Sequence, residues 1–98
     1  MKVTVVLQPE AEGGYSAVVP ALPGVVTQGD TMDETLANVL EASLLWLEVR
    51  SEDGLQVPVE TPEAVLREIE ACLQYRSEEG LPLTMETREM EIPAEAFV

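Results

Sequence analysis

The chain has 98 residues, 46% of them apolar, which suits a single small domain and excludes both a disordered tail and an integral membrane protein. Five basic residues against nineteen acidic ones leave a formal charge of −14. That imbalance argues against direct binding to nucleic acid or to an anionic membrane, which need clustered Lys and Arg, and favours a basic protein partner.

There is no histidine, so the commonest general base and the commonest zinc ligand are both missing. Cys72 is alone; it can close no internal disulfide and build no multi-cysteine metal site. No cofactor or metal is expected, and the reducing cytoplasm is the expected compartment. The opening MKVTVVLQPE meets Pro9, Glu10 and Glu12 before any signal-peptide core could form. Pro20, Pro23 and Gly24 interrupt the most apolar region, so no segment reaches membrane-spanning length. A domain of this size buries only about 60 to 65% of its unfolded surface. Together with the self-repulsion of the acidic surplus, this favours a homo-oligomer.

In chain order, residues 2 to 8 place Val3, Val5 and Leu7 on one face with the period of a half-buried strand. Gly13 and Gly14 supply a hairpin connection to a second strand over residues 15 to 20, where Pro20, lacking an N–H, ends the pairing. A turn at Pro20 to Gly24 leads to a third short strand, residues 25 to 28. The first 29 residues thus read as a three-stranded antiparallel meander.

Asp30 or Thr31 is placed to cap a helix running from Met32 to Val49, with Asp33 and Glu34 favourably set in its first turn. Leu36, Val39, Leu40, Ser43, Leu44, Trp46 and Leu47 share the face that would cover the sheet. Asn38, Ala42, Leu45 and Val49 form a thin second stripe, and Ala42, Leu45 and Val49 are candidates for an oligomer interface. A second helix is bracketed by Thr61 as its cap, Pro62 in its first turn and Gly80 past its end. Val65, Leu66, Ile69, Cys72 and Leu73 line one of its faces, which makes Cys72 a packing residue. Extended segments are expected at residues 55 to 59 and within residues 85 to 92, the latter able to join the sheet. The fold class is α+β, one domain over residues 1 to 98, with a core at 2 to 48 and a helix-strand extension at 50 to 92.

A shift of 26 residues lays RSEDGL (50 to 55) on RSEEGL (76 to 81), and residues 34 to 61 match residues 60 to 87 at 12 of 28 positions. Either a helix-turn-extended unit was copied in tandem, or both segments obey the same capping and turn rules independently.

The segment from Glu12 to Ala42 resembles the N-terminal domain of HicB antitoxins. The carriers are Gly13-Gly14-Tyr15, the turn Pro20-Ala21-Leu22-Pro23-Gly24, the run Thr27-Gln28-Gly29-Asp30-Thr31, and Asp33-Glu34 ahead of Leu36, Asn38 and Glu41-Ala42. The resemblance covers about residues 2 to 48. It implies a β-β-β-α-β fold similar to a truncated RNase H-like domain, which oligomerises and covers the catalytic histidine of a small basic mRNA-cleaving toxin, HicA. Relatives often add a DNA-binding domain. Here a Glu-rich ending stands in its place, which argues against operator binding. Val25 occupies the position where many relatives carry a cysteine.

On this reading Tyr15, Leu22 and Pro23 form an exposed docking patch, and Asp30, Asp33 and Glu34, with Glu10 and Glu12, form an acidic rim for toxin lysines and arginines. A two-metal nuclease is disfavoured because the first three strands hold no Asp or Glu. The alternative to an antitoxin is a homo-oligomeric protein-binding module with no toxin partner, and in neither case is the protein an enzyme.

Overall fold

The computed structural model describes residues 1 to 54, 56 and 58 to 93. The elements are β1 (Lys2–Pro9), β2 (Tyr15–Val18), β3 (Val26–Gly29), α1 (Met32–Glu52), α2 (Pro62–Glu78) and β4 (Glu86–Glu91). The four strands form one antiparallel sheet in the order β3-β2-β1-β4. The expected meander and the added C-terminal strand are both present, and the class is α+β.

Strand β1 is central because it is the most apolar: Val3, Val5 and Leu7 are buried on one face and Val6 on the other. The first face meets α1, giving a core of Val3, Val5, Leu7, Ala17, Val19, Leu22, Val25, Val39, Leu47 and Ile92. Sequence periodicity predicts a sheet backed by one helix, but the structure has two. On the other face α2 lies against Thr4, Val6 and Gln8. Glu60, just ahead of α2, accepts hydrogen bonds from the Thr4 N–H and hydroxyl, and Gln8 Nε2 donates to Cys72 Sγ at 3.3 Å. Arg76 is 4% exposed and donates to the Pro82 carbonyl at 2.6 Å, the Pro9 carbonyl at 3.3 Å and Gln8 Oε1 at 3.4 Å, riveting the end of α2 to the end of β1.

Pro20 ends the ladder as its chemistry requires. The β1–β2 register runs from Pro9↔Tyr15 to Val6↔Val18 and stops two residues short of Pro20. The N–H of Thr4, which would next have bonded across to β2, is taken by Glu60 instead.

Several boundaries differ from the sequence expectation. The second strand closes at Val18 rather than at residue 20, because Leu22 N–H folds back to the Val19 carbonyl at 3.0 Å. The third is displaced by one residue, to Val26–Gly29. Helix α1 continues to Glu52, one turn beyond Val49. Of the extended segment expected at 55 to 59, residues 55 and 57 lie outside the described residues, and Gln56, Pro58 and Val59 belong to no strand. Leu66, expected on the packed face of α2, is exposed.

The caps resolve one choice: Thr31, not Asp30, accepts the Glu34 N–H at 3.1 Å, and Thr61 accepts the Ala64 N–H at 3.2 Å. The two aligned segments agree only at their ends. Gly54 and Gly80 close their helices with φ of 71° and 68°, each donating to the carbonyl three residues back. At the start they diverge, since Thr61 caps α2 whereas its aligned partner Thr35 is wholly buried inside α1.

Candidate functional site

At one end of the sheet the β1–β2 hairpin and the β3–α1 junction come together. The contact is backbone on backbone, and glycine is what permits it. A Cβ on Gly14, whose φ is +79°, would stand 2.5 Å from the Gly29 carbonyl oxygen. A Cβ on Gly29 would stand 2.7 Å from the Thr35 nitrogen and 2.9 Å from its Cα. Thr35 is held there by its own hydroxyl, which donates to the Thr31 carbonyl at 2.7 Å. These contacts account for the glycines of GGY and QGDT: Gly14 makes room for the β3–α1 junction, and Gly29 makes room for the first turn of α1.

The same approach assembles a cleft of about 540 Å³, lined by Glu10, Ala11, Glu12, Gly13, Tyr15, Gln28, Gly29, Asp30 and Glu34. Four carboxylates thus converge around a half-buried tyrosine whose inner edge packs on the core. Such an arrangement suits the long cationic side chains of a basic protein: the ring offers a face to a guanidinium or ammonium and the acids supply complementary charge. Among the described residues, no group of three or more cysteine and acidic side chains is close enough to hold a metal ion.

Of the residues expected to meet a partner, Tyr15, Asp30 and Glu34 are brought together here, along with Glu10 and Glu12. Asp33 is exposed on the first turn of α1 but does not line the cleft. Leu22 corrects the expectation: it is completely buried in the core, so it supports the turn and offers no exposed surface. Pro23 is exposed, yet it sits past the far end of β2 from Tyr15, where its carbonyl accepts the Trp46 Nε1–H at 2.8 Å. The single patch of Tyr15, Leu22 and Pro23 is therefore not formed.

A second surface lies at that far end. Leu45 and Val49 of α1 are 62% and 51% exposed, and Val26 of β3 is 68% exposed. With Gly24, Val25, Ala42, Trp46, Arg50 and Asp53 they line a shallow depression. The Arg50 guanidinium lies over the Trp46 ring, 4.8 Å from its centre. Ala42, Leu45 and Val49 are thus on one uncovered surface. What periodicity alone missed is that the free edge of β3 is part of it.

A family model described as the HicB-like antitoxin of a bacterial toxin-antitoxin system matches residues 3–80. The chain belongs to the HicB-like antitoxin family. In this HicB-like chain the match runs from β1 through all of α2, well beyond the stretch at 2 to 48 that carries the sequence resemblance. A UPF0150 protein of Synechocystis sp. is 40% identical over 58 residues, covering 59% of this chain and 80% of that protein. A UPF0150 protein of Archaeoglobus fulgidus is 40% identical over 65 residues, 64% of this chain and 94% of its own. Antitoxin HicB 1 of Photorhabdus laumondii is 39% identical over 62 residues, covering 63% of this chain but only 40% of that longer antitoxin. Among solved structures, the N-terminal domain of the Burkholderia pseudomallei antitoxin HicB superimposes with a TM-score of 0.68 at 22% identity, covering 94% of this chain and 98% of that one. A chain of the HicA3 and HicB3 toxin-antitoxin complex gives a TM-score of 0.62 at 22% identity, with the same coverage. Both share the fold.

Proposed function

We propose that this protein is an antitoxin that binds a small basic HicA-type toxin, an mRNA-cleaving enzyme, and covers its catalytic histidine. It acts by occupancy and charge rather than by catalysis, in the cytoplasm where such a toxin meets mRNA. The observation that carries the reading is the cleft, in which Glu10, Glu12, Asp30 and Glu34 surround Tyr15 on a chain of net charge −14. Family membership and the fold shared with a chain of a toxin-antitoxin complex support it.

The test is to purify the product of an adjacent reading frame encoding a short basic protein with a histidine, mix it with this chain, and follow co-elution and RNA cleavage. The expected result is a stable complex in which RNA survives. Separate elution with undiminished cleavage refutes the proposal.

A second reading, a homo-oligomeric binding module without a toxin, draws on the exposed apolar surface of Val26, Leu45 and Val49. Absence of any basic reading frame beside the gene favours it.

A further inference from the structure

Helix α2 is tied to the sheet through Glu60, Gln8 and Arg76, and polar ties of this kind leave much of its apolar surface uncovered. The residues it buries are Cys72 and Arg76. Beside that buried line, Pro62, Leu66, Ile69 and Leu73 recur at helical spacing and form a ridge. Leu66 is 55% exposed, and Ile69 and Leu73 are half-buried. Pro62, Val65, Leu66 and Ile69, with Thr4 and Glu60, line a shallow groove of about 530 Å³ between α2 and the sheet.

Carboxylates border this apolar strip on two sides. Residues paired across neighbouring strands share a face of the sheet, and the β1–β4 register sets Thr4 beside Glu89 and Lys2 beside Glu91. Thr4 faces α2, since its hydroxyl donates to Glu60, so Glu89 and Glu91 stand on the α2 side of β4, and both are exposed. On α2 itself, the exposed Glu63 and Glu70 are the i−3 and i+4 neighbours of Leu66. Lys2 and the N-terminal ammonium, which pairs with Glu91 at 3.1 Å, offset only part of this charge.

We infer that this groove docks a basic amphipathic helix of a partner protein, its apolar side chains against the Leu66 and Ile69 ridge and its lysines or arginines toward the bordering acids. A strand does not fit. The Ile92 N–H donates to the Met1 carbonyl across β1 and β4, so on the open side of β4 the outward backbone groups belong to Thr87, Glu89 and Glu91, an edge blocked by charge. Charge also excludes a second copy of this chain and an anionic membrane, because either would set negative groups against Glu63, Glu70, Glu89 and Glu91. The groove is separate from the Tyr15 cleft: Thr4 and Glu10 are six residues apart along β1 and its exit, about 20 Å at about 3.3 Å per residue, and a helix in the groove leaves the cleft open. The proposal stands independently of the antitoxin reading.

The test uses a fluorescently labelled synthetic helix of leucine and lysine, about four turns long, with its leucines on one face. The control peptide has the same composition scrambled so that the leucines share no face. The amphipathic peptide should bind the intact chain at least tenfold more tightly than the control, read by fluorescence anisotropy. Leu66→Glu, at an exposed position, should weaken that binding at least tenfold, and Glu63→Lys/Glu89→Lys at least fivefold. Leu45→Glu and the four amide substitutions in the Tyr15 cleft should leave it within twofold. As a check that needs no variant, amide chemical shifts of the wild-type chain should move at Thr4, Val65, Leu66 and Ile69 when the peptide is added.

Equal binding of the two peptides overturns the proposal, because charge alone then explains the contact. So does a Leu66→Glu chain that binds as the wild type does, or loss of binding in the cleft variant, which would put the peptide in the cleft. If Leu66→Glu lowers the sedimenting mass of the free chain, a second copy occupies the groove and the proposal is likewise wrong.

Discussion

Replacing Leu22 by Ala separates a docking residue from a packing one. The side chain is wholly buried between the Val19–Val25 turn and the core beneath α1. The substitution removes three carbon atoms, about 2.4 kcal/mol at about 0.8 kcal/mol for each buried methylene. Close packing prevents full collapse of the gap, and the residual cavity raises the total to about 3 to 4 kcal/mol. Domains of this size have total stabilities of about 5 to 10 kcal/mol, so the variant folds but with a much reduced margin. With a urea dependence of about 1.3 kcal/mol per molar, the unfolding midpoint should fall by about 2 to 3 M at fixed protein concentration. Pro23→Ala, at the exposed neighbouring position, should move it by less than about 0.5 M. If Leu22→Ala unfolds at the wild-type midpoint, Leu22 is not a core residue and the burial argument is wrong.

Other predictions follow from the same geometry. Gly29→Ala pushes a methyl into the Thr35 backbone, which sits in the fixed first turn of α1, and should destabilise the fold by about 1 to 3 kcal/mol or more in the same urea assay; a neutral result contradicts the close approach. Converting Glu10, Glu12, Asp30 and Glu34 together to their amides should slow capture of a basic partner by about tenfold or more and flatten the salt dependence of its association rate, read by stopped-flow or surface plasmon resonance; an unchanged on-rate removes the cleft from the interface. Burial raises the Cys72 thiol pKa, Glu68 beside it adds to the rise, and Arg76 opposes it. The thiol should therefore react slowly with a disulfide reagent at mildly alkaline pH until the chain is unfolded. Because the folded pKa lies above the unfolded one, the neutral thiol's contribution is complete below the unfolded pKa and is lost as pH rises through the folded value. The unfolding midpoint should decline across that alkaline window, and Cys72→Ala should lessen the decline.

Much of the architecture was legible because local chemistry and global packing agree. Val3, Val5 and Leu7 alternate onto the face that α1 covers, Pro20 halts a ladder, and Thr31, Thr61 and Gly80 mark helix ends where the structure has them. The placement of α2 was not legible. Its contact with the sheet runs through Glu60, Gln8 and Arg76, residues that a polar-outward reading assigns to solvent. Leu22 misled for the opposite reason: it sits in a Pro- and Gly-rich turn of the kind usually found on the surface, yet the turn folds back and points it inward. In the cleft, Tyr15, Asp30 and Glu34 could be chosen by type and charge. Glu10 and Glu12, placed in the same acidic rim by charge, do lie beside them; that Asp33 does not lie there depends on how closely two loops approach, which no periodicity encodes.

The touching glycines also determine what the cleft can do once folded. Like charges on freely moving loops would spread until their mutual repulsion relaxed, and an arriving cation would have to gather them again. Here the hairpin tip cannot retreat from the start of the first helix, so the crowding is present before any partner arrives. A cation that settles among these side chains meets four carboxylates already gathered in one cleft at one corner of the molecule.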